Sequence, residues 1–129
     1  MLKLGVGLGL GDAIGSIDFY PNGGNKQPAC QMGKQFRNAD AEVMTITSLE
    51  KMASCYHNIV LPYFMNSIHL CNYLSVECES YELYSEGRCD DNSNPTNRMG
   101  LFCVQIPGLP TESKFYLNTS ADAPYCEKE

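Results

Sequence analysis

His57 is the residue in this chain best suited to chemistry. An imidazole changes charge near neutral pH and can take up and return a proton. It lies two residues after Cys55, and the stretch from Cys30 to Cys55 is a loop with a cysteine at each end. That is the layout of a lid beside a catalytic base. A base needs a nucleophile, and none is convincing here. No Gly-x-Ser-x-Gly elbow occurs. Gly15-Ser16-Ile17 lacks the flanking glycines, and Ser16 falls within an expected strand. Cys55 is near His57 in sequence, but it is expected to pair with Cys30, and a disulfide sulfur is not a thiolate.

Other chemistries find less support. His57 and His69 are too far apart for a helical ligand pair and no Cys-x-x-Cys occurs, so neither a metal site nor a cofactor is expected. Gly9 and Gly11 are followed by Ile14, where a dinucleotide fingerprint would require glycine. The net charge is -6, with basic residues scattered from Lys3 to Lys128, which argues against nucleic acid as a partner. No stretch reaches transmembrane length. Seven cysteines in 129 residues favour an oxidising compartment and leave at least one cysteine without a partner in the chain. Asn118-Thr119-Ser120 is a glycosylation sequon, which marks Asn118 as a candidate acceptor and agrees with secretion.

The elements that must position His57 can be read in order. Residues 1–13 form a glycine-rich lead-in. Residues 14–24 are a short strand with period-two alternation, closed by the turn Pro21-Asn22-Gly23-Gly24. Asp18 is read as a carboxylate capping the turn at the strand's end. Residues 30–55 form the loop. Phe36, Ala39, Val43, Ile46, Leu49 and Ala53 make one helical face within it, and Thr47-x-x-Glu50 is a capping box for a second short helix. Residues 57–68 place His57 on a loop leading into a helix, with Pro62 in the first turn and an apolar face of Val60, Leu61, Phe64, Met65 and Ile68. Residues 71–103 read as acidic, cysteine-containing loops, and 114–119 as a closing strand.

The run from Gly15 to Gly24, followed by Gln27-Pro28-Ala29-Cys30, closely resembles the pancreatic-type lipase family of animal triacylglycerol lipases and insect venom phospholipases A1. Cys55-Tyr56-His57 then resembles the family's Cys-x-His, in which the histidine belongs to the catalytic triad. Tyr63-Phe64, Ser67-Ile68, the Cys78 and Cys89 pair, Met99-Gly100 and Lys114 to Thr119 follow in the family's order. Tyr56, Ile59 and Asn66 depart from its usual small polar, arginine and acidic residues.

The resemblance implies an α/β architecture, the C-terminal portion of an α/β-hydrolase fold. The bridges Cys30–Cys55 and Cys78–Cys89 are expected; Cys103–Cys126 is expected as a third pairing, with Cys71 either unpaired in this chain or joined to the missing part. In this family serine and aspartate precede the histidine along the chain, so the nucleophile, the acid and the oxyanion hole belong to an N-terminal half missing here. The chain alone is therefore expected to be inactive.

As part of a whole, the chain resembles a secreted carboxylic ester hydrolase acting on lipid esters at a lipid–water interface. His57 is its base, and Phe36, Val43 and Ile46 line a lid. Each of those side chains would cost about 1.5–3 kcal/mol to expose to water, which keeps such a lid shut in solution. The alternative is a non-catalytic lipid-binding or storage protein of the same fold. An unrelated disulfide scaffold accounts for less of the pattern.

Overall fold

A computed structural model describes residues 11–30 and 46–128. The elements are β1 (Ile17–Pro21), α1 (Ile46–Asn58), α2 (Val60–His69), β2 (Leu74–Glu77), α3 (Tyr81–Ser85), β3 (Thr96–Arg98) and β4 (Ser113–Leu117). The strands form one mixed sheet in the order β1-β4-β2-β3. β1 and β4 run parallel, with Phe19 opposite Phe115 and Tyr20 opposite Tyr116. β2 is antiparallel to both β4 and β3.

β4 organises the packing because successive side chains of a strand point to opposite faces. Phe115 and Leu117 fall on one face. Phe115 meets Phe19 at 5.8 Å between ring centroids. Leu117 joins Tyr63 of α2, Cys71 and Tyr73 in a buried cluster, with Met99 and Tyr125 against it. Tyr116 falls on the other face, with Cys78, Cys89 and the α3 tyrosines Tyr81 and Tyr84. Helices thus lie on both faces of a small α/β sheet. Each large side chain fully buried here contributes about 1.5–3 kcal/mol.

The Pro21–Gly24 turn is as tight as its sequence suggests. Gly23 has φ of 74°, and a Cβ there would meet the Tyr81 ring at 2.6 Å. Only glycine combines that backbone with that approach. Asp18 does cap a turn, but the one before the strand, accepting from the Gly15 amide at 2.9 Å.

Several readings need correction. The 71–103 region is not all loop, since it carries β2, α3 and β3. The α3 start had a visible signal, as Ser80 is an N-cap whose side chain accepts from the Leu83 amide. β1 is shorter than the expected 14–20 strand, and β4 begins one residue before the expected 114 and ends at Leu117. The apolar stripe of α2 needs no correction as an apolar face, and it stands bare among the described residues. The buried residues of α2 are Tyr63 and Ser67, while Val60, Leu61, Phe64 and Met65 are exposed. Tyr63 and Ser67 win the inner face because each finds hydrogen-bond partners there. Ser67 Oγ donates to the Phe64 carbonyl at 2.6 Å and accepts from the Leu101 amide at 3.0 Å. Gly100 packs against Ser67 so closely that a Cβ would overlap its side chain.

The cysteine pairing is Cys30–Cys55, Cys78–Cys89 and Cys71–Cys126. The expected Cys103–Cys126 bridge is absent, and Cys103 is a free, exposed thiol. Cys71 follows α2 and Cys126 follows the last strand, so the sheet brings together two ends that lie 55 residues apart.

Candidate active-site corner

His57 is not on a loop. It lies in the last turn of α1, with Asn58 after it. The cause is Pro62. A proline has no amide to donate to the carbonyl four residues back, here Asn58, and its ring crowds that carbonyl. The helix is therefore interrupted at Ile59 alone and restarts at Val60. Ile59 keeps the two pieces joined, donating its amide to Cys55 at 2.9 Å and accepting from Tyr63 at 3.1 Å. His57 is thus held beside the junction of α1 and α2, two residues from the disulfide at Cys55.

The imidazole is exposed. It makes no hydrogen bond or ion pair with any described residue. No serine, thiol or carboxylate is therefore paired with it among the described residues. Asp18 is turned to backbone amides instead. Of the lid residues, Phe36 and Val43 lie outside the described residues, and so does the side chain of Ile46, whose backbone opens α1. Asn118 is exposed immediately after β4.

Beside the corner runs a cleft of about 460 Å³ between β1 and α2, lined among others by Phe19, Pro21, Tyr56, Ile59, Tyr63 and Phe64. Tyr56 and Ile59 flank His57 in the chain and both face this cleft. Its walls are mainly apolar and aromatic, with Asp18 and Gln27 as polar members, which suits an acyl chain better than a charged ligand. No described group of His, Cys, Asp and Glu could hold a metal ion.

Under the cleft lies a polar arrangement that the sequence did not announce. Gln27, Tyr63 and Thr119 are 4%, 2% and 5% exposed, yet every buried side-chain polar atom among the described residues has a partner. Asn22 Nδ2 donates to Gln27 Oε1 and to Thr119 Oγ1, both at 2.8 Å. Tyr63 Oη lies 3.0 Å from Gln27 Oε1 and 2.9 Å from Thr119 Oγ1. Gln27 Nε2 donates to the Pro21 carbonyl at 2.9 Å. Burial pushes the Tyr63 phenol above its ordinary range, opposed by the Thr119 hydroxyl. The Asn22-Gly23 turn, the Gln27 motif and the Thr119 sequon are each visible in the sequence. Their meeting is not, because it depends on β1 and β4 lying side by side.

The Lipase family model matches residues 2–125. The chain is 29% identical over 122 residues to pancreatic triacylglycerol lipase of Cavia porcellus, covering 88% of this chain and 25% of that protein. It is 32% identical over 127 residues to phospholipase A1 member A of Homo sapiens, covering 92% and 25%. With pancreatic lipase-related protein 2 of Cavia porcellus the identity is 30% over 120 residues, covering 90% and 23%. The chain spans about a quarter of the length of the curated relatives it matches.

Proposed function

This chain belongs to the lipase family, and on that premise we propose that it carries the catalytic histidine of a secreted hydrolase of lipid carboxylic esters. The observation that carries the reading is the Cys30–Cys55 bridge, which anchors His57 two residues away beside an apolar cleft. The fold is the C-terminal portion of an α/β-hydrolase. The serine and acid come from chain outside these 129 residues, a reading supported by the share of its relatives that the chain spans.

In this mechanism His57 takes the proton of the serine hydroxyl as it attacks the ester carbonyl, then gives it to the leaving alcohol. The cleft beside Tyr56 and Ile59 receives an acyl chain. Phe36, Val43 and Ile46 line a lid that opens at a lipid surface, where exposing apolar side chains is tolerated. The substrate is a triacylglycerol or a phospholipid, the substrates that the names of the relatives indicate. The three disulfides support an extracellular location, and no described helix is long and apolar enough to cross a membrane. Asn118 is the glycan acceptor.

A p-nitrophenyl alkylphosphonate tests the reading on the natural protein that carries these residues. It should release one equivalent of nitrophenolate per chain, and the His57→Gln variant should release none on the same timescale. Absence of release from the wild type under lipid-interface conditions would favour a lipid-binding protein of the same fold.

A further inference from the structure

We propose that Tyr63 is a positioning residue for His57, acting through a hydrogen-bonded clamp made with Asn22, Gln27 and Thr119. The proposal rests on His57 being the base. The clamp joins three separate parts of the chain. Asn22 and Gln27 follow β1, Thr119 follows β4, and Tyr63 stands on the inner face of α2. The Thr119 amide also donates to Asn22 Oδ1 at 2.9 Å, so the strand ends are tied twice.

One assignment of hydrogens satisfies the whole set. Asn22 donates to both Gln27 Oε1 and Thr119 Oγ1, the Thr119 hydroxyl donates to Tyr63 Oη, and Tyr63 donates to Gln27 Oε1. The ring closes with no spare donor and no orphan. A closed, buried network of this kind fixes geometry, because loss of any member strands its neighbours away from water.

Two routes lead from the clamp to His57. Upstream, the Gln27 carbonyl accepts from the Cys30 amide at 2.9 Å, and Cys30 is bridged to Cys55. Downstream, Tyr63 donates its amide to Ile59, and Ile59 donates to Cys55. The turn containing His57 is thus held from both sides. That matters because the imidazole has no hydrogen bond of its own to any described residue. Among the described residues only its backbone holds it, and a shift of about 1 Å in a catalytic group can lower turnover about 100-fold.

The test uses the natural protein that carries these residues, with hydrogen exchange and ester hydrolysis read together. Tyr63→Phe should speed amide exchange across residues 55–63 about tenfold while the β2 and β3 amides stay protected. Turnover should fall about tenfold with KM within twofold of wild type. Thr119→Val should reproduce both effects and Thr119→Ser should restore both, since serine keeps the hydroxyl; both variants keep the sequon, whose hydroxyl residue is Ser120. Asn118→Gln removes the sequon alone and should change neither.

Unchanged exchange at 55–63, or an equal rise throughout the sheet, would overturn the clamp whether or not the protein hydrolyses esters. If the wild type hydrolyses nothing, the proposed function fails, while the exchange result still decides whether the clamp holds the corner. If Tyr63→Phe does not fold, the Thr119 pair carries the same test. Failure of Thr119→Ser to restore would also contradict the proposal.

Discussion

Individual side chains set the pH limits of this fold. Tyr73 is the clearest case. It packs against Tyr63 with ring centroids 5.7 Å apart, and its hydroxyl donates to the Pro124 carbonyl at 3.0 Å. Burial pushes its phenol from 10.0 up to about 12, and Tyr20, Tyr84 and Tyr116 are raised by burial as well. The unfolded chain therefore releases these protons first as pH rises. The contribution is complete below about pH 10 and is lost as pH climbs through about 12 for Tyr73. Urea midpoints should stay flat from neutral pH to about 10 and then fall, with Tyr73→Phe falling less steeply. A flat profile to pH 12 would contradict this assignment. At this scale much of the candidate site was legible. His57, its spacing from Cys55 and the Cys30–Cys55 and Cys78–Cys89 pairs were all visible in motifs. The Cys71–Cys126 bridge was not, because its ends meet only through the sheet.

The elements position His57 through a break that one residue causes. Pro62 removes the amide that would bond to Asn58, and α1 ends there, one residue past His57. The sequence placed Pro62 correctly in the first turn of α2, but α1 extends four residues past Ser54, so His57 is helical. The apolar run of α1 gave no sign of where it would stop, and the proline acts on a carbonyl four residues upstream. Pro62→Ala should let α1 and α2 fuse. The new amide at residue 62 should become protected from exchange and helix content should rise slightly. Turnover by the natural protein should fall at least about tenfold as the junction beside His57 shifts. An unprotected amide with wild-type turnover would show that Pro62 does not set the corner.

At the scale of the whole molecule, the described surface is more apolar than the small core would suggest. Leu61 and Met65 of α2 are 66% and 64% exposed, and Val60 and Phe64 lie beside them. β1 pairs only with β4 among the described residues, which leaves its other edge without a described strand. The sequence marked the α2 stripe as an apolar face and no more, because period alone shows that a face is apolar and not which partner it meets. Expressed alone, the 129-residue chain should bind a hydrophobic dye and melt over a broad range. A dye-silent monomer with a sharp transition would contradict that. The central claim is that His57 is the base of a lipid-ester hydrolase. It is tested most directly by the kcat/KM of the natural protein on emulsified triacylglycerol and on phospholipid vesicles, with and without His57→Gln. The account predicts turnover of one of these lipids and a fall of roughly 10⁴-fold or more in the variant. Turnover within threefold of wild type in His57→Gln would contradict it.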